Sequence, residues 1–521
     1  MNIKLKLLMK TARSISIEIA DGGKYFTIKE YDVLINGEFY KKTKTVVTSL
    51  FELKPETEYT ITVRESGGGQ AEEIVITTDY EFVTLDVVEF GAKGDGKQDD
   101  TVYLQAAIMA CPEMGRVLIP KGTYKISSLF LKDHIRIELA KGAKLLADHN
   151  RWNYPILPGM IESYDETQEY NLGSWEGNPL PMFSGIITGI HVTDVILYGE
   201  GSINGNASFD NWWHNEKVMK GAYRPRMLFL NKCENISVQG LCFHDSPAWV
   251  IHPYFSSNLH FCGLTIKNPH NSPNTDGLDP ESCHDVKIEG VHFSLGDDCI
   301  AIKSGKIYMG KTYKTPSSHI HIRQCLMENG HGAVTIGSEM AGGVNNVVVE
   351  ECFFKNTDRG LRIKTRRGRG RDAVIDQVVF RDIKMDHVMT PFVINCFYFC
   401  DPDGKSEYVQ SRNVYPVDEK TPIIKKLLFQ KITCDNCHVA AAFFEGLPEM
   451  KIEEIVMEEI LVNYASNAKR DVPAMSQGVE ACCKKGIYAR NIRKMVFCQI
   501  GISGQDGDDM ELYDVDEIIT E

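Results

Sequence analysis

Asn235-Ile-Ser-Val-Gln-Gly240, Asn258-Leu-His-Phe-Cys-Gly263 and Asp285-Val-Lys-Ile-Glu-Gly290 are three copies of one six-residue phrase. The phrase returns more loosely as His319-Ile-His-Ile-Arg-Gln324, Asn346-Val-Val-Val-Glu-Glu351 and Gln377-Val-Val-Phe-Arg-Asp382, and weaker copies open at Lys426 and Glu454. Apolar and polar residues alternate inside each copy, and Gly, Asn or Asp closes it, which is the pattern of a short strand between turns. Successive copies start 23, 27, 34, 27 and 31 residues apart. A constant strand unit with loops of variable length describes the coils of a solenoid, whereas propeller blades would be longer and more uniform. Helical periods are nearly absent after residue 111. The fold class predicted for residues 85–521 is therefore all-β, a right-handed parallel β-helix. Its near-continuous Val, Ile, Leu and Phe runs follow from parallel coils with an apolar lumen.

Working upstream, Gly91 to Asp100 ends in Asp99-Asp100, which predicts a capped helix from about Thr101 to Ala110. That helix would cover the open end of the solenoid, and Val117 to Tyr124 would form the first coil. Residues 1–84 read as a separate all-β module, its strands evident from about residue 12 to 79. Leu53-Lys-Pro-Glu-Thr-Glu-Tyr59-Thr-Ile-Thr-Val63 resembles the E–F corner of fibronectin type III domains, with Tyr59 as the corner tyrosine. The module is expected to be a spacer or a wall of the cleft.

The chain has 521 residues and a formal charge of −14, with 43% hydrophobic and 25% charged residues. This is a globular composition, and its acidity argues against nucleic acid or an anionic membrane as partner. No stretch is long and apolar enough to span a bilayer, and the N-terminal apolar run is too short for an export signal. The 15 cysteines lie mostly singly in apolar strands, and no CxxC pair suggests zinc. Reduced thiols and a cytoplasmic location are expected, and no metal or other cofactor is called for.

Three segments fall at matching points of consecutive coils: Asn274-Thr275-Asp276-Gly277, Gly296-Asp297-Asp298 and Gly330-His331-Gly332. Aligned on the third strand of each coil, Asp276, Asp298 and His331 form a column, with Asp297 one step ahead and Arg362 and Lys364 on the next coil. Neighbouring coils sit about 4.8 Å apart, and carboxylates that close share a proton or a water. One protonated carboxyl and one carboxylate are what hydrolysis of a glycosidic bond requires. Crowding would supply the acid, and inversion would place acid and base about 6.5–9.5 Å apart. Residues 362–371, RIKTRRGRGR, hold six basic side chains. Arg362 and Lys364 alternate on one face and suit an anionic ligand, while Arg367, Arg369 and Arg371 read as a solvated loop.

These residues resemble glycoside hydrolase family 28, the polygalacturonases, from about residue 85 to the C-terminus. Asn-Thr-Asp-Gly, Gly-Asp-Asp, Gly-His-Gly and Arg-Ile-Lys all occur in order. The resemblance implies inverting hydrolysis of α-1,4-linked galacturonic acid. It implies Asp297 as general acid, Asp276 and Asp298 as the pair that activates water, and His331 as the residue that tunes the acid. Asn274, Arg362 and Lys364 would bind substrate, with Asn274 positioning either the sugar or a neighbouring carboxylate. The preceding module, with insertions at His149 to Met182 and Asp401 to Pro422, resembles bacterial exo-acting members that release galacturonate from a non-reducing end. Trp152, Trp175, Trp212, Trp213, Trp249 and Tyr254 are candidates for stacking on sugars or for packing. Free cysteines and the missing export signal depart from secreted relatives and point to imported oligogalacturonides as partners, with oligomeric state open. Alternatives are another pectic linkage, such as rhamnogalacturonan or a modified galacturonan, which the intact Gly-His-Gly disfavours in the first case. A non-catalytic uronate-binding β-helix would have no need of the Asp column.

Overall fold

The computed structural model describes residues 3–162 and 169–521. Most strands belong to one continuous parallel sheet system of 29 strands that winds as a right-handed solenoid. The repeated phrases stack in register: Ile236 pairs with Leu259, Leu259 with Val286, Val286 with Ile320, Ile320 with Val347 and Val347 with Val378. Leu427 and Ile455 continue the same row. The first residue of each phrase explains the Asn and Asp bias. Asn235, Asn258, Asp285, His319, Asn346 and Gln377 all have φ between 51 and 56°, the left-handed region that Asn and Asp tolerate best.

The solenoid starts one residue earlier than the predicted boundary, because Thr84–Asp86 pairs with Arg116–Ile119. The first rung is made by Thr84–Asp86 and Asp95–Asp99, so Val117 to Tyr124 lies on the second. The helix Thr101–Ala110 forms as expected. Asp99 bonds the Thr101 N–H and hydroxyl, at 3.0 and 2.5 Å, while the Asp100 carboxylate turns back to the N–H groups of Lys93 and Gly94. Leu104, Ala107 and Ile108 seal the lumen end.

Ahead of the solenoid, a three-stranded and a four-stranded antiparallel sheet span Lys4 to Thr77. They enclose their own core of Ile15, Ile17, Val33, Leu50, Ile61 and Val63. The Tyr59 hydroxyl accepts the Lys54 N–H at 2.9 Å. The module sits on the corner between the first and second strands of several coils, three of which end their phrases in Gly240, Gly263 and Gly290. A Cβ on Gly240 would lie 2.4 Å from Phe51 Cζ, and one on Gly290 would lie 2.3 Å from Val47 Cβ. Later copies hold Gln324, Glu351 and Asp382 at the same left-handed φ, and there the module approaches through polar side chains, Glu18 to Gln324 and Lys24 to Asp382. Glycine is needed here mainly for the space it leaves, since other residues manage the backbone. Arg323 adds a buried bidentate pair to Glu18, at 2.7 and 2.9 Å. The module is thus fixed to a corner of the coil. The catalytic candidates stand at the start of the third strand, away from that corner.

Candidate active site

The outer face of the third sheet is built by Ile251–Tyr254, Ile300–Ile302, Val334–Gly337, Arg359–Lys364 and Thr390–Asn395. Leu278, Ile300, Val334, Leu361 and Phe392 fill the lumen, so the residues between them point outward. Leu278 pairs with Ile300, Ile300 with Val334 and Val334 with Leu361. This register puts Asp276, Asp298, Gly332 and Arg359 in one row. His331 is therefore displaced by one residue from the expected column and stacks beside Asp297. A strand slip of one residue moves a side chain to the other face, so the displacement pairs the imidazole with the adjacent acid. His331 Nδ1 stands 3.5 Å from Asp297 Oδ1.

One oxygen each of Asp276, Asp297 and Asp298 lie within 4.8 Å of one another. Their surroundings differ sharply. Asp276 and Asp298 are buried, whereas the Asp297 side chain is 24% exposed and His331 46%. Burial alone would raise Asp298, but Lys364 at 2.8 Å and Arg362 at 3.1 Å hold it well below the usual carboxylate range. Burial, reinforced by the charge of Asp297, pushes Asp276 up to about 8 against the pull of Lys303. Burial, more than crowding, thus supplies a proton carrier near neutral pH, and it is Asp276. His331 is raised by its bond to Asp297, against the cost of burial. The carboxylates also lie closer than the spacing of about 6.5–9.5 Å expected for inversion.

The cations are placed differently from the sequence expectation. Arg362 and Lys364 are buried as counter-ions of Asp298, and Arg362 also meets the Met475 thioether. Arg367 and Arg369 are buried and not solvated: Arg367 binds Glu449 at 2.5 Å, and Arg369 binds Asp401 at 2.5 Å. Arg366 joins Asp401 and Asp403, at 2.9 and 2.7 Å. This basic turn holds down the insertion after Asp401, and only Arg371 remains exposed.

Several site residues escaped the sequence reading. Lys303 lies under the trio, 3.7 Å from Asp276 and 3.4 Å from Glu339, with its ammonium 4.4 Å from the Trp249 ring centre. Its signal was available: it follows the Asp297-Asp298 strand on the face that Lys364 occupies two coils later. Arg224 donates to Asn274 Oδ1 at 2.6 Å, which fixes the amide that the resemblance places near substrate. Arg226 is wholly buried, its guanidinium 4.8 Å from Trp175 and 4.4 Å from Trp249. Asp279 is buried with neither oxygen bonded, and burial raises its pKa well above the ordinary value. Trp212 and Trp213 are packing residues, Trp213 donating to the Ser246 carbonyl at 3.1 Å. Trp152 is exposed. With Lys303, Arg362 and Lys364 around it, the trio has its charge balanced by side chains, and it suits proton sharing better than a divalent ion.

The sequence model described as glycosyl hydrolases family 28 matches residues 120–483. A probable polygalacturonase of Vitis vinifera is 30% identical over 407 residues, covering 75% of this chain and 78% of that protein. The family 28 exopolygalacturonase structure of Yersinia enterocolitica superposes with a TM-score of 0.73 at 19% identity, over 100% of this chain and 98% of that one. The exopolygalacturonase of Thermotoga maritima gives a TM-score of 0.61 at 25% identity, over 75% and 89% of the two chains.

Proposed function

The chain belongs to glycosyl hydrolase family 28, and on that premise we propose that it hydrolyses α-1,4-linked galacturonic acid from the end of a chain, with inversion. The observation that carries the reading is the asymmetry of the trio: three carboxylates within 4.8 Å, of which Asp297 alone is open. Asp297 is the group able to reach a glycosidic oxygen and protonate it as general acid. Asp276 and Asp298 are buried, and in this reading they act on the anomeric carbon through a water held between them. For that, the proton on Asp276 passes to Asp297 as the anionic substrate enters, and the trio works as one proton-sharing unit. His331 orients Asp297.

The close carboxylate spacing favours a second reading, double displacement with retention, for which about 5–5.5 Å is usual. Proton NMR of the first-formed sugar decides between them. The β-anomer appearing first supports inversion, and the α-anomer first overturns it. Chromatography of products from defined oligogalacturonides tests the end-acting mode, which predicts stepwise loss of single units. The N-terminal module is read as fibronectin type III-like on the Tyr59 corner. A reducing compartment such as the cytoplasm suits the 15 free cysteines, and cell fractionation tests it.

A further inference from the structure

Residues 465–484, between the strands Ile452–Tyr464 and Lys485–Ser503, leave the coil and cross the outer face of the third sheet. Arg359 donates to the carbonyls of Val472 and Pro473, at 2.7 and 3.3 Å, and Asn395 to that of Met475 at 3.1 Å. Ala474 packs with Val393 and Phe443. The far edge is tied down as well: Arg412 reaches Ser476 Oγ at 3.1 Å, the Gln477 N–H reaches Gln410 Oε1 at 2.9 Å, and the Lys469 N–H reaches His438 Nδ1 at 3.1 Å. This strap covers the coils that follow His331. On the coils past Arg362 the strap itself, at Pro473 and from Gln477 to Cys483, lines a cavity of about 810 Å³ with Phe443 and Tyr488.

The opposite side is closed by the first insertion. Ser174 O receives Arg226, and the Trp175 indole stacks on Tyr223 with ring centres 4.7 Å apart. A Cβ on Gly177 would lie 2.8 Å from the Lys306 nitrogen, so backbone meets backbone there. Between the two covers the open rows run from Asp276 through Asp298 to Gly332, roughly 10 Å at the strand spacing of a parallel sheet.

We propose that the strap limits the substrate to short galacturonide oligomers by walling the groove on the Arg362 side. The inference rests on the proposed hydrolysis and adds a length limit to it. A pocket closed at both ends accepts few sugar rings, and a long polymer has no exit past Ala474.

The test compares kcat/KM per chain end on di-, tri- and hexagalacturonate and on polygalacturonate. Expected is a fall of at least tenfold between the trimer and the polymer. Replacing residues 470–481 by a short Gly-Ser turn should raise the polymer-to-trimer rate ratio about tenfold. Met475→Ala, which leaves the strap in place, should raise it less. Equal rates per end on trimer and polymer in the intact protein overturn the length limit and leave the hydrolytic reading standing. Inactivity on every length overturns both. An unchanged ratio in a folded strap-shortened protein assigns the wall elsewhere and overturns the role of this segment.

Discussion

Each carboxylate of the trio has its own partner, and the partner sets its task. Asp298 is clamped by Lys364 and Arg362, Asp276 is braced by Lys303, and Asp297 meets His331. Asp297→Asn keeps the shape and removes the proton, so kcat is expected to fall by about 10²–10⁴-fold with a smaller change in KM, as steady-state kinetics on digalacturonate will report. Lys303 makes a sharper prediction. It lowers the pKa of Asp276, so Lys303→Met raises that pKa further. The proton that the trio shares is then lost only at a higher pH, and the alkaline limb of the kcat/KM profile moves to higher pH. Lys303→Arg should move the limb part of the way back. A profile merely scaled down, with its limbs in place, would mean that Lys303 only packs beneath Trp249.

The coil was legible because its turns have a chemical signature. Asn235, Asn258 and Asp285 occupy left-handed positions that Asn and Asp tolerate, and alternating apolar residues between them fix the register. The module's docking was not legible, because Gly240, Gly263 and Gly290 looked like turn glycines. Only the presence of Phe51, Ser49 and Val47 against them shows that the missing side chains matter. Gly290→Ala drives a methyl into Val47, and a clash of this kind costs about 1–3 kcal/mol. The expected result is a lower melting temperature and faster proteolytic release of the module. Val47→Gly in the same chain should recover part of the loss, because the two sites are in contact. Strictly additive effects would place the cost in the backbone conformation alone. Other elements were hidden for electrostatic reasons. A run such as Arg367-Gly368-Arg369 reads as solvated until Asp401 and Glu449 are brought to it from distant sequence. The strap carries no hydrophobic period and acts largely through its carbonyls, which no sequence pattern reveals.

Across the whole molecule, burial divides the acidic groups into two sets with opposite pH dependence. In Glu339, burial is outweighed by Lys303 and Lys306, which bring it to about 2; Asp298 and Asp401 are held low by their own Lys and Arg partners. Their folded values lie below those of the unfolded chain. The stability they contribute is complete above the ordinary carboxylate range and is lost as pH falls through the lowered values. Asp276, at about 8, and Glu281, raised to about 7 chiefly by burial and then by Glu339, behave in the reverse way. Their folded values lie above the unfolded ones, so the folded state holds extra protons. Their stabilising share is complete below the unfolded values near 4 and is lost as pH rises towards 7 and 8. The net charge of −14 adds self-repulsion on the same side. The two sets together put the stability maximum at about pH 5, with a steep acid edge and a gradual decline towards pH 8. Calorimetry between pH 3 and pH 9 should trace that shape. Asp276→Asn, neutral at every pH, should flatten the decline above pH 5 and leave the acid edge in place. A decline of equal slope in that variant would move the effect from the buried carboxyl to the surface charge.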